Sequence, residues 1–299
     1  MVVVNCVTRW FVFVLTLVLW TGCAPSGGSS TSTPTPSAST QDQVTDPEFS
    51  ITVGEQSKKW KSSELLKHPA LREITVPNES AYEGQTKSYQ AVPLALLFEG
   101  FQIPDGQTLE YQTTDGFISS FKPERLLQTS EDGAVAYLAV EDPNYPWPNF
   151  RNRNYGPGPF YLIWERPEAS NIGREEWPYK LTGFNDRPDL DTRYPKLPPD
   201  AALSVDHPVR NGYKLYLRNC FPCHQINGEG QASQGPDLNY PMSPTEYLVE
   251  GMIQKLVRDP QSMRSWGAGK MLPFSQEDIS DEELDHIVLY LKHKAETRP

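Results

Sequence analysis

Cys220-Phe221-Pro222-Cys223-His224 is the stretch that decides how the last third of this 299-residue chain is read. Two thiols stand two residues apart and an imidazole follows at once. Zinc would need two further ligands at matching spacing, and the chain has neither a second cysteine pair nor a His-x-x-x-His. A thioredoxin-like redox pair would leave His224 without a purpose. The spacing instead suits one covalently attached haem c. Two thiols add across the two vinyl groups, and the next residue's imidazole reaches the iron from the same side.

The flanks of the motif read as helical. Ser243-Pro244-Thr245-Glu246 is a capping box with proline at the first helical position, which predicts a helix running to about Arg258. Ser280-Asp281-Glu282-Glu283 is a second box, with Ile279 and Leu284 placed as a hydrophobic staple. Leu284, Ile287, Val288 and Leu291 then fall at i, i+3, i+4 and i+7, the spacing of one buried helix face. The acids at 277–285 suit the first turn and approach of that helix, where negative charge is favourable.

Over residues 205–299 the sequence resembles a class I cytochrome c. The resemblance is carried by Gly212 and Tyr213 ahead of the motif, Gly235-Pro236-Asp237-Leu238 after it, Met271-Leu272-Pro273-Phe274, and Tyr290 in the last helix. It implies an all-α domain that transfers single electrons. It implies covalent attachment through Cys220 and Cys223, His224 as the proximal iron ligand, and the Pro236 carbonyl orienting that imidazole. It also implies Met271 as the sixth ligand, a thioether that favours ferrous iron and so raises the potential. Met263 is the rival ligand, while Met242 and Met252 suit a helix start and a helix core. His207, His286 and His293 read as helix-end or surface histidines.

The N-terminus reads as an address. Residues 10–20, WFVFVLTLVLW, follow Arg9 as an apolar run too short for a comfortable membrane span. Thr21-Gly22-Cys23 then resembles the lipobox of bacterial lipoproteins, with Trp20 in the slot usually held by leucine. The expectation is a lipoprotein-type signal over 1–22 and a lipid on Cys23, the new N-terminus. The alternative is an uncleaved anchor drawn back through Val2–Val4. Residues 23–47, rich in Ser, Thr, Pro and Gly, suit a flexible tether. Together these place the protein on the periplasmic side of a bacterial membrane, with redox proteins as partners. The net charge of −11 argues against nucleic acid.

Residues 48–200 read as a second, mixed α/β and strand-rich domain. Strands are expected at Ile51–Val53, Leu109–Gln112, Phe117–Phe121, Ala134–Val140 and Phe160–Trp164, with a hairpin turn at Asp115-Gly116. Ser62–His68 reads as a short helix and Asp142–Arg153 as a long loop. Tyr145, Trp147, Phe150, Tyr155 and Tyr161 read as loop packing over a sheet. The segments "ITVGEQSKKWKSSELLKHP", "YQAVPLALLFEGFQI", "TTDGFISSF" and "GPGPFYLIW" resemble the molybdopterin-binding domain of sulfite-oxidase-like proteins. That family holds molybdenum through a cysteine thiolate, and no cysteine lies between Ala24 and Asn219. The expectation is therefore a fold relative without molybdenum chemistry, serving as a docking module. A pterin-dependent oxidoreductase with the haem as electron exit, or a haem-based sensor, are the alternatives.

Overall fold

The computed structural model describes residues 45–151, 153–231, 234–263 and 271–299. The signal, the lipid-bearing Cys23 and nearly all of the tether lie outside the described residues.

Among the described residues, nine strands build the first half. They are β1 (Glu48–Val53), β2 (Gln56–Lys61), β3 (Arg72–Glu79), β4 (Gln85–Pro93), β5 (Gln107–Thr113), β6 (Ser119–Phe121), β7 (Val135–Val140), β8 (Phe160–Glu165) and β9 (Leu181–Pro188). One sheet has the order β2-β1-β9-β5-β6 and the other β3-β4-β7-β8. All pairings are antiparallel except β1 with β9. The helices here are single turns, α1 (Ser62–Leu65), α2 (Leu94–Leu97), α3 (Pro123–Leu126) and α4 (Leu190–Arg193).

The alternation along β7 shows how the sheets stack. Ala136, Leu138 and Val140 face a core shared with Phe49, Ile51, Leu109, Tyr111 and Phe184 of the other sheet. Val135, Tyr137 and Ala139 face the opposite way, into a second cluster with Tyr89, Tyr161 and Ile163. Every residue of β7 is buried, because both faces are covered. The expected Asp142–Arg153 loop supplies part of that cover. Trp147 and Phe150 pack against the second cluster, Tyr161 lies inside it, and Tyr145 remains exposed.

Several expected strands appear with small changes of boundary, and the hairpin pairs Leu109 with Phe121. Gly116 adopts φ +78° at its turn, and Asp115 accepts from Thr113 Oγ1 at 2.7 Å. The helix expected at Ser62–His68 closes after one turn, at Leu65. Strands β2, β3, β4 and β9 were not read from the sequence. β2 is QSKKWK, a charged edge strand. β9 is polar along half its length and ends in proline, yet sits at the centre of its sheet. Its Phe184 ring packs against Phe49, Phe98 and Tyr111, with centroids 6.1, 5.9 and 6.4 Å away.

The second half is helical: α5 (Pro208–Asn219), α6 (Pro244–Tyr247), α7 (Met252–Arg258), α8 (Pro260–Met263) and α9 (Asp281–Glu296). Both capping boxes form. Glu246 Oε2 accepts from Ser243 N at 2.6 Å, and Glu283 Oε2 from Ser280 N at 2.8 Å. The single helix expected from Pro244 to Arg258 is corrected to two. Leu248 is extended at φ −95°, ψ 138°, and Gly251 takes φ +79°, a left-handed conformation that ends helical propagation. Met263, the rival ligand, is the last residue of the short α8.

Helices α5 and α9 cross at Gly212, where an added Cβ would stand 1.9 Å from the His286 carbonyl oxygen. Tyr213 and Tyr216 of α5 pack in tilted fashion against Tyr290 of α9, with ring centroids 5.4 and 5.3 Å away. Of the expected stripe on α9, Leu284, Ile287 and Leu291 are buried and Val288 is half-buried. The segment joining the halves packs into this helical core. Leu197 is buried there, and its carbonyl accepts from Tyr290 Oη at 2.7 Å. No helix of the described residues is long and apolar enough to cross a membrane.

Candidate functional site

Helix α5 delivers the motif. Its last turn runs into Cys220, whose N–H donates to Tyr216 O at 2.8 Å. Cys223 N and His224 N both donate to Cys220 O, at 3.0 and 2.9 Å, so the five residues form one tight turn. The turn keeps both cysteines and His224 within one short backbone-bonded stretch. Phe221, between the cysteines, faces inward and packs on Tyr194 and Tyr216 at 5.7 and 6.3 Å.

The ring of His224 is held from behind. Its Nδ1 lies 2.8 Å from Pro236 O, which makes Nδ1–H the donor and leaves Nε2 with its lone pair free. Gly235 lies flat against the ring, and a Cβ there would stand 2.4 Å from His224 Cε1. Gly235 N donates to Cys223 O at 2.8 Å, which ties this loop back to the motif. Burial pushes the His224 pKa below its ordinary value, against the opposing pull of the Pro236 hydrogen bond, so the ring is kept neutral. A neutral imidazole is the form that binds iron.

Both thiols are free, and burial pushes each up to about 12, with Glu175 adding to the effect at both. A redox-active pair needs the opposite, a depressed thiol pKa. Among the described residues no three His, Cys, Asp or Glu side chains converge as a metal cluster. The donor set therefore fits covalent haem attachment: two unpaired thiols, one imidazole with free Nε2, and a glycine that clears the ring.

Asp237 and Asn239 escaped sequence reasoning. Asp237 carboxylate oxygens accept from the backbone N–H groups of Asn227, Gly228, Asn239 and Tyr240, at 3.2, 2.7, 2.7 and 2.8 Å. Asn239, fully buried, donates to Asn227 Oδ1 at 2.8 Å and to Lys294 O at 2.9 Å. Together they lock the loop carrying Pro236 to α9. The available signal was Asp-x-Asn straight after Gly-Pro, a run of side chains that bond their own backbone.

Met271 is half-buried at the start of the loop that carries Pro273 and Phe274. Met242 is exposed, and Met252 opens α7. His207 caps α5 by accepting from Val209 N at 3.2 Å. His286 bonds Asn211 at 2.8 Å, and His293 accepts from Asp200 N at 3.2 Å.

Residues 209–295 match the family model of cytochrome c. The chain thus carries a c-type cytochrome domain, the class to which covalently bound haem c and electron transfer belong. No curated protein and no solved structure matches the chain.

Proposed function

We propose that this chain is a monohaem electron carrier, tethered by a lipid on Cys23 to the periplasmic side of a bacterial membrane, with redox proteins as partners. The observation that carries the haem reading is the Cys220–His224 turn with its imidazole held by Pro236 O. A haem bound there supplies one-electron iron chemistry. Cys220 and Cys223 would hold it covalently, and His224 and Met271 would be its iron ligands. With both ligands in place, such a site would pass electrons without binding substrate. The strand-rich half is read as a relative of the molybdopterin-binding fold without its metal thiolate, and so as a docking module.

The experiment compares Met271→Ala with Met263→Ala. Met271→Ala should abolish the weak sulfur-to-iron band of the oxidised protein and lower its reduction potential markedly. The haem should stay attached, and Met263→Ala should leave band and potential intact. The reverse pattern moves the ligand to Met263. A native protein without the band that binds carbon monoxide when reduced contradicts the carrier reading and favours sensing. Stoichiometric molybdenum in the purified protein would make the strand-rich half an enzyme.

A further inference from the structure

The turn Arg174–Glu176 belongs to the strand-rich half but reaches into the helical one. It is fastened first to its own half. Trp164 Nε1 of β8 donates to Glu176 O at 2.8 Å. Arg125 of α3 donates to both Glu176 carboxylate oxygens, at 2.6 and 2.8 Å, and Glu176 Oε2 also accepts from Gly173 N at 2.6 Å. Arg125 spends its remaining donors on Ser170 O and Asn171 O, both at 3.0 Å. A two-point pair of this kind, on a carboxylate that is 9% exposed, makes the turn rigid.

From this base the turn touches two separate parts of the haem half. Gly173 lies against the aliphatic stem of Arg218, two residues before Cys220, with room for a Cβ only 3.1 Å from Arg218 Cδ. Arg174 Nη1 donates to Pro273 O at 2.9 Å, and its guanidinium lies 5.9 Å from the Phe274 ring. Pro273 stands two residues after Met271. The rest of the loop is held from the helical half itself: Phe274 N donates to Val257 O at 3.0 Å, and Arg258 Nη1 donates to Phe274 O and Ser275 O at 3.0 and 2.6 Å. One turn thus spans from the helix that delivers the cysteines to the loop that delivers Met271.

We propose that Arg174 is a positioning residue for the distal ligand loop, through which the strand-rich half sets how readily the sixth ligand leaves the iron. The proposal rests on Met271 being that ligand. In this proposal Met271 leaves the iron only when residues 271–275 shift from the observed arrangement, which the Arg174–Pro273 bond stabilises. By differential stabilisation, loss of that bond raises the shifted, open population.

The test is imidazole binding to the oxidised full-length protein, followed by rapid mixing. Imidazole enters only when the loop is open, so its binding rate reads the open population. Arg174→Ala should speed binding about fivefold, the worth of one partly exposed charged hydrogen bond, and lower the reduction potential. Arg174→Lys, which keeps a cationic donor, should recover part of the change. Arg72→Ala removes the Arg72–Glu165 pair elsewhere in the strand-rich half and should change nothing. Far-ultraviolet circular dichroism separates loop release from unfolding. A wild-type protein with the sulfur-to-iron band, and unchanged rates in a folded Arg174→Ala, would overturn the clamp alone. A wild type with no band and immediate imidazole binding overturns the Met271 reading and the clamp with it.

Discussion

The two halves of this chain solve the same problem by different means. The strand-rich half closes on itself: two sheets share one core, and a second cluster is sealed by aromatic side chains from its own loops. The helical half has one smaller cluster, built where α5 and α9 cross and completed by Leu197 from the connecting segment. Its polar interior is spent on holding one imidazole and the loops around it. The difference teaches that the first half is specified by burial, whereas the second is specified by the geometry of a ligand turn. Side chains fill the first, whereas the second is organised around the turn and loop that hold His224.

Substitutions that act on one half alone sharpen this contrast. Gly212→Ala should have the larger effect. Its Cβ must push α5 away from the His286 carbonyl, an overpacking of about 3 kcal/mol, against which improved helix propensity returns about 1 kcal/mol. Amide hydrogen exchange should show a net loss of about 2 kcal/mol in α5 and α9. Protection of β7 should stay unchanged. Equal losses in both halves would erase the distinction.

Glu79→Gln acts on the other half and less strongly. Glu79 is buried and accepts from Tyr161 Oη at 3.0 Å, Tyr89 Oη at 3.5 Å and Ala81 N at 3.1 Å. Burial outweighs these bonds and the Lys87 charge, and raises its pKa above the ordinary 4.5. The folded state therefore holds this proton more tightly than the unfolded chain. Its contribution to stability is complete below pH 4.5 and is lost as pH rises through the higher folded value. In Glu79→Gln the fall in the strand-rich half's stability between pH 4 and pH 7 should become shallower. Glu141, whose pKa burial also raises, keeps a remainder. An unchanged slope would mean that Glu79 ionises in the folded state as easily as in the unfolded one.

What the sequence revealed follows the same division. In the helical half the chemistry sits in consecutive residues, so Cys220 to His224, both capping boxes and the α9 stripe could be read locally. The break at Leu248–Gly251 could not, because a glycine in a helical pattern is tolerated as often as it ends one. In the strand-rich half, β7 and β8 announced themselves as apolar runs. β9 did not, since its place at the centre of the sheet depends on partners far away in sequence, β1 and β5. Arg174 was invisible for a related reason: it acts on a backbone carbonyl of a distant loop, Pro273 O, and a backbone acceptor leaves no mark in the sequence.

Everything proposed for the helical half depends on a haem held covalently by Cys220 and Cys223 and bound by His224. That attachment is tested most directly by the intact mass of the purified, denatured chain together with the absorption spectrum of its reduced pyridine complex. The mass should rise by one haem, the spectrum should be that of a haem with both vinyl groups saturated, and Cys220→Ser/Cys223→Ser should lack both. A chain of unmodified mass, isolated from cells that attach haem to other cytochromes, would contradict it.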